Sequence, residues 1–539
     1  MANGEKAATT GGAGPATSSF QNGFVRLFGS QLLTRIVTFV LNVAIARSLS
    51  TASYGVAAVQ FHLINSSIVF LAREGVRRSC MRSSQDDAAL VAGSLVALPA
   101  GFLLAIAAGL FFHARHNTPA VMQCLAAFIE VLSEPMYVYA TSKGWFAMRT
   151  GCEAAAMVAK NVASVWLLHA ASNDRGTFET FETFETMAVS WGQVVYGCVL
   201  LGCFVVGTWV ARAGNLPKVS DIKHLRVSGS FYTFYATFTF QAMGKLVLAE
   251  GSKAVLAVVT SPAVQGIYGL VNNLGSLVVR TLFQPFEELV FVTFSHARDT
   301  GRKDEREKQR LLLSNLMETV CIVGGIVAAF GPSYAYVALR LLYGPRWASS
   351  DAPRALGYYS IYVALLAVNG TLEAFLHGVA DQKNLMKNNV ALILASLAHM
   401  GLSVAMVRAH GAVGLLVADG VNMMLRIAYS CAFVDAYFKK ECGGLRGTGL
   451  TPSWQIMLSL GVAGAAARAS EGVFLSVGQV AVDQSTPSLI DMGRHVGVGC
   501  VLLAAVLIVI LRNSNVARSL RSTLQQARPT PQAQKSKTT

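Results

Sequence analysis

The sequence predicts an all-α polytopic membrane protein, a helix bundle of about fourteen transmembrane helices, on three observations. Of its 539 residues, 53% are hydrophobic and only 14% are charged, and the mean hydropathy is +0.47, a composition that no soluble domain shares. Runs of about 20 mainly apolar residues, long enough to cross ~30 Å of hydrocarbon as helix, recur along nearly the whole chain. A backbone in lipid must satisfy its own hydrogen bonds, and these runs are too long and too unalternating for barrel strands, which leaves helices.

The elements follow in chain order. Residues 1–23, MANGEKAATTGGAGPATSSFQNG, are small and polar with no apolar h-region, so they read as a disordered cytosolic N-terminus and the first helix itself directs insertion. Spans are expected at 26–46, 54–72, 88–112, 119–140, 151–170 and 187–211, forming an N-terminal six-helix lobe over 24–211. The basic connection 212–229 reads as a cytosolic inter-lobe loop. A second lobe over 230–437 holds expected spans at 230–259, 264–296, 311–339, 355–380, 388–407 and 411–437. An extra helix pair, 453–477 and 493–511, lies within 453–511, and the tail 512–539, with Pro, Gln, Ser and Lys, reads as disordered and cytosolic, able to touch anionic headgroups.

A weak internal echo supports the division. SLSTASYGVAAVQFHL and TSPAVQGIYGLVNNLGSL both place a Tyr-Gly, Tyr54-Gly55 and Tyr268-Gly269, at the start of the second helix of a tight hairpin. An even number of crossings separates the hairpins, so the two lobes are expected to be parallel repeats. The tandem TFETFETFET at 177–186 is low-complexity and reads as a tolerated loop expansion.

Charge supplies the topology. The net charge of +15 invites a nucleic-acid reading, but the basic residues are not one patch. They concentrate in every second connection, as in Arg73, Arg77, Arg78 and Arg82, then Lys143 and Arg149, then Arg298, Arg302, Lys303 and Arg306. The intervening connections hold few, such as Arg47, Arg115 and Arg494. The positive-inside rule puts the basic set and both termini in the cytosol and makes nucleic acid unnecessary. The nine cysteines show no CxxC spacing, so neither a disulfide framework nor a metal site is expected, and no cofactor is implied. The sequons at Asn65 and Asn369 fall inside expected helices, where glycosylation does not reach.

Charges inside the spans mark the chemistry. A charge at a helix centre costs about 2.5–3.5 kcal/mol on insertion scales, so each needs a partner, a cavity or a path to the interface. Lys253 lies near a helix end and can snorkel, and Arg468 can pair with Glu471. Arg35 and Lys245 have no acid on their own helix face, which leaves a polar cavity and an interhelical salt bridge as equal accounts; Lys160, Arg280 and Arg426 are also intramembrane. Among the acids, Glu130 and Glu134 share one face, Glu250 lies near Lys245, and Glu287 and Glu288 follow Pro285, whose mid-span position predicts a kink. Arg280 and Glu287, seven apart, can project to one face and pair. Asn272 and Asn273, within the second echo, join these as candidates for structural or gating roles.

The stretch FLAREGVRRSC at 70–80 closes the second helix with Arg73, Glu74, Arg77 and Arg78. Glu74 reaches Arg77 and Arg78 at i+3 and i+4. Topological anchoring explains the sign of this cluster, whereas its arginines also suit bidentate pairing with a phosphate, so anchor and ligand site both stand.

The segments RIVTFVLNVAIARSLS, FLAREGVRRSC, EVLSEPMYV, QGIYGLVNNLGSLVVRTLFQPFEE and NGTLEAFLHGVA, in that order over about residues 24–440, resemble the eukaryotic Rft family of endoplasmic-reticulum membrane proteins of N-glycosylation. That resemblance implies the fold of the multidrug, oligosaccharidyl-lipid and polysaccharide flippase superfamily, two six-helix lobes around a central cavity. It implies a partner lipid, a dolichol-pyrophosphate-linked oligosaccharide, translocated by the protein or with its assistance. It also implies that the Arg73 to Arg78 cluster, Lys160 and the Glu287, Glu288 pair matter.

On this reading Arg35, Arg73, Arg77, Arg78, Lys160, Lys245 and Arg280 are the headgroup candidates, and no catalytic residue is expected. A cation-coupled multidrug exporter of the same fold is the alternative; it needs an acid in the cavity, for which Glu130, Glu134, Glu250 and Glu287 are available. A dolichol-sugar glycosyltransferase is disfavoured, because the first luminal loop, RSLSTASYG, carries no acid to serve as base.

Overall fold

The computed structural model describes residues 37–83, 87–170, 178–211, 229–296, 303–442, 444, 451–475 and 487–515. Arg35, the N-terminal segment, nearly all of the 212–229 connection and the tail beyond 515 lie outside the described residues. What is described is helical. In order it comprises α1 (Val37–Ser48), α2 (51–83), α3 (87–113), α4 (Thr118–Ser142), α5 (Phe146–Ala170), α6 (Phe178–Ala211), α7 (Gly229–Val259) and α8 (262–296). Then come α9 (Lys303–Leu342), α10 (Ala352–Val379), α11 (382–410), α12 (412–442), α13 (Trp454–Phe474) and α14 (Leu489–Asn513). Gly411, at φ 56 and ψ −132, is the break that separates α11 from α12 within one otherwise continuous helical stretch.

By length and composition, eight helices among the described residues are long and apolar enough to cross a membrane. Their outward surfaces are apolar, as lipid requires: Val501 is 70% exposed and Leu103 66%. Short connections make sequence neighbours antiparallel contacts, so α3 lies on α4, α5 on α6, α9 on α10 and α13 on α14. The α13–α14 pair attaches to the rest through α9, where fully buried His495 stacks on Tyr334 at 4.3 Å and meets Ser470 at 2.9 Å and the Ser333 carbonyl at 3.0 Å.

The two echoed hairpins meet. α2 crosses α8 at Gly55 and Gly266. A Cβ on Gly55 would stand 1.9 Å from the Pro262 carbonyl oxygen, and one on Gly266 would stand 2.1 Å from that of Thr51. Only glycine permits so close a backbone approach, the usual device of helix contact in lipid.

Both crossing helices contain a π-helical turn, Val56–Phe61 in α2 and Val279–Phe283 in α8. The expected irregularity at Pro285 takes this form: proline has no N–H to return to residue 281, and the turn before it widens.

The TFE repeat is not a loop expansion. From Phe178 onward it forms the first turns of α6, and Glu185, 1% exposed, accepts bonds from the Ser50 N–H at 3.1 and 3.0 Å. Thr and Glu spaced by three can present one wet and one buried face of a helix, which a low-complexity reading does not consider.

Where α1 ends, the chain is locked to the end of α9. Arg47 donates to the carbonyls of Leu342 at 2.6 Å and Leu341 at 2.5 Å, and Arg346 returns a bond to Leu49 at 2.6 Å. Trp347, fully buried, donates to the Ala46 carbonyl at 2.8 Å and meets Tyr54 edge-on at 5.4 Å. Each guanidinium thus satisfies carbonyls that the other helix end leaves unbonded.

Candidate functional site

A cavity of about 360 Å³ lies between α1, α2, α4, α5 and α6 on one side and α7 and α8 on the other. That is within the range of small-ligand sites, about 300–1,000 Å³. The α8 wall is one helical stripe, Asn272, Asn273, Ser276 and Arg280. Opposite, α5 presents Lys160 and Asn161, α6 Gln193 and α4 Gln123, while the π turn of α2 brings small Ala57 and Ala58 to the wall with His62 and Asn65 beyond it.

Lys160 is the least compensated charge of this cavity. Its ammonium donates to the neutral Gln193 Oε1 at 2.6 Å, and no carboxylate among the described residues is paired with it. Three donors on one ammonium and one neutral acceptor leave capacity directed into the cavity. Beside it, Asn161 is 1% exposed and its Nδ2 has no partner, and the Asn65 Oδ1 is likewise unbonded. Asn272 accepts from the Tyr359 hydroxyl at 3.3 Å. Lys253 does not snorkel; it lines the cavity and holds Glu250 at 2.9 Å, which His62 also approaches at 3.3 Å.

The arginine cluster of α2 is engaged elsewhere. Arg73 meets Glu130 at 3.0 Å, and Arg77 grips Glu134 with Nε at 2.5 Å and Nη2 at 2.8 Å. The Arg77 guanidinium also lies 3.6 Å over the Tyr137 ring. Two i, i+4 pairs therefore mesh as a ladder between α2 and α4, with both acids buried. Glu74 bonds Arg78 at 2.7 Å, while Arg77, which was expected to share it, turns to the neighbouring helix.

The remaining candidates scatter. Lys245 is exposed on α7 and does not line the cavity, and Pro285 and Glu288 are exposed on α8. Glu287 seats its carboxylate against Gly370 of α10, where an added Cβ would stand 1.8 Å from Oε1. Arg426 pairs with Glu373 at 2.5 Å, and Asn369 donates to the same carboxylate at 3.0 Å, beside a separate chamber of about 260 Å³. The cavity amides Gln123, Asn161 and Gln193 escape a search for charge. The signal that could have found them is an amide placed in mid-span, where hydrocarbon alone would leave it unbonded.

Fold and cavity together define the class, a polytopic helical membrane fold around a polar cavity. The architecture is similar to the solved structure of the lipid II flippase MurJ in an inward closed conformation (TM-score 0.59, 11% identity, 90% of this chain and 99% of that one). It is also similar to an inward-facing multidrug resistance MATE family transporter (TM-score 0.56, 12% identity, 75% and 96%). Within that class the chain belongs to the Rft family, whose model, described as Rft protein, matches residues 19–522. Relatives include the Man(5)GlcNAc(2)-PP-dolichol translocation proteins RFT1 of Xenopus tropicalis, 26% identical over 526 residues (92% of this chain, 95% of that protein). The protein of the same name from Dictyostelium discoideum is 27% identical over 468 residues (76% and 86%). The family resemblance read from the sequence motifs is thus confirmed.

Proposed function

We propose that this protein moves a dolichol-pyrophosphate-linked oligosaccharide from the cytosolic to the luminal face of the endoplasmic reticulum membrane, supplying protein N-glycosylation. The observation that carries the reading is the charge of the cavity. Among its described lining residues stand Lys160, Lys253 and Arg280 and no carboxylate; Glu250, beside the wall, is taken up by Lys253 and His62, so the charge of Lys160 is left over. Such a wall suits a doubly phosphorylated headgroup, and the acid beside it is already committed to Lys253. The names of the relatives agree with the substrate.

In this reading Lys160 and Arg280 hold the pyrophosphate from opposite walls, and Asn161, Asn272 and Asn273 meet the first sugars. Each charge-assisted bond to phosphate contributes about 1.5–3 kcal/mol. The polyprenyl tail stays in the bilayer. The Arg73–Glu130 and Arg77–Glu134 ladder stiffens the wall behind this site instead of contacting the lipid. All fourteen helices cross, both termini are cytosolic, and 24–211 and 230–437 are two lobes that rock about the α2–α8 crossing, with 453–511 appended. The Arg47, Arg346 and Trp347 contacts then seal the luminal end.

The test is reconstitution of the purified protein in vesicles with a fluorescent dolichyl-pyrophosphate oligosaccharide. Transfer above that of protein-free vesicles, lost in Lys160→Met, supports translocation. No excess transfer with folded wild-type protein refutes it and leaves an assisting role.

A further inference from the structure

The chamber of about 260 Å³ beside Arg426 shares no lining residue with the central cavity, and the proposed handling of pyrophosphate does not use it. It lies between α10, α11 and α12. On α11 its wall is one helical stripe, Asn388, Ala391, Leu392 and Ala395, which α12 faces with Leu425, Arg426 and Tyr429. Asn369 and Glu373 of α10 complete it. Glu373 and Asn388 each stand about 9 Å inside the adjacent ends of their helices, Val379 and Gln382. With Lys383 and Lys387 exposed beside those ends, this is a depth just beneath the membrane interface.

Three buried polar atoms of these lining residues have no partner: Asn388 Nδ2, Asn369 Oδ1 and Arg426 Nε. Asn388 is 3% exposed and Asn369 5%, so bulk water does not compensate them, and a buried donor or acceptor left unmet is costly. The broad terminal torsion of asparagine lets either amide turn into the chamber that it lines. Charge narrows the occupant. Arg426 is committed to Glu373 at 2.5 Å, which leaves no net charge on the wall to hold a phosphate or a metal cation. What the wall offers is two donors and one acceptor beside an apolar face.

We infer that this chamber binds the hydroxyl end of a membrane sterol. A hydroxyl donates one bond and accepts two, the complement of Asn369 Oδ1 with Asn388 Nδ2 and Arg426 Nε. Ala391 and Ala395, one turn apart on α11, leave a flat shelf for a fused ring, with Leu392 and Leu425 beside it. Entry is from the lipid. Leu425 lines the chamber yet is 54% exposed, and exposed Val390 and Leu394 extend the apolar surface of α11. A sterol seated here braces α11 against α10 and α12, whichever substrate the central cavity moves.

The experiment uses full-length protein in phosphatidylcholine nanodiscs and a cholesterol analogue with a free 3-hydroxyl and a photoreactive diazirine on its ring system, the crosslinked peptides being mapped by mass spectrometry. Crosslinks are expected within 388–395 and 425–429. Cholesterol should compete at least about tenfold better than its methyl ether, whose oxygen cannot donate. Diolein, an alcohol on flexible chains, should compete no better than the ether. Asn388→Leu should weaken labelling about tenfold, Ala391→Trp should abolish it by filling the shelf, and Lys160→Met should leave it unchanged. Variants are compared on their monodisperse fractions, and the contrast between alcohol and ether in wild type needs no variant. Absence of labelling in these segments, equal competition by the ether or by diolein, or labelling indifferent to both chamber variants would each overturn the inference. Labelling requires no transport, so a failed translocation assay leaves this site standing, and failed labelling leaves translocation untouched.

Discussion

Replacing Arg77 separates a ladder from a ligand site. In Arg77→Met the buried Glu134, whose side chain is 1% exposed, loses both guanidinium bonds, those at 2.5 and 2.8 Å. An uncompensated buried charge of this kind costs about 3–5 kcal/mol. Against a total stability of ~5–15 kcal/mol that is a large fraction, and cellular abundance should fall several-fold. Removing both charges in Arg77→Met/Glu134→Leu should restore most of the abundance, because paired charges in low dielectric exchange for apolar groups at little net cost. The assay is fluorescence-detected size exclusion of a tagged protein, with translocation expressed per folded molecule. If Arg77→Met accumulates normally yet loses activity, and the double variant does not recover, Arg77 contacts the lipid and the reasoning from the ladder is wrong.

The other predictions are more direct. Lys160→Met should keep wild-type abundance, since it removes a charge that no described carboxylate balances, while translocation falls at least about tenfold, as expected for one phosphate bond; equal activity per molecule would exclude Lys160 from the site. Gly266→Ala should sharply lower accumulation by forcing a Cβ to 2.1 Å from the Thr51 oxygen, whereas Gly461→Ala, with nothing within 4 Å, should not, and equal levels would dismiss the crossing. Glu185→Ala should lower thermal stability in detergent, because the Ser50 N–H loses both acceptor oxygens, and Glu182→Ala should leave it unchanged. Cysteines placed within 297–310 should label from the cytosolic side of sealed microsomes; labelling only after permeabilisation would invert the topology.

The sequence alone determined the class of this protein. Hydropathy sums over each segment's own residues, so the helices were visible without their neighbours, and the family was legible in motifs such as FLAREGVRRSC and NGTLEAFLHGVA. Even misplaced edges, as at the TFE repeat, left the helix itself in place. The tertiary structure alone decided what the charges do. Arg73 and Arg77 find their acids 57 residues away on α4, and nothing local distinguishes them from Lys160, which meets only an amide on α6. Likewise a Gly55 and a Gly266 look ordinary until two backbones cross there. Burial in lipid is a property of a stretch of chain, whereas compensation of a buried charge depends on which side chain faces it, and that is set only when the helices assemble.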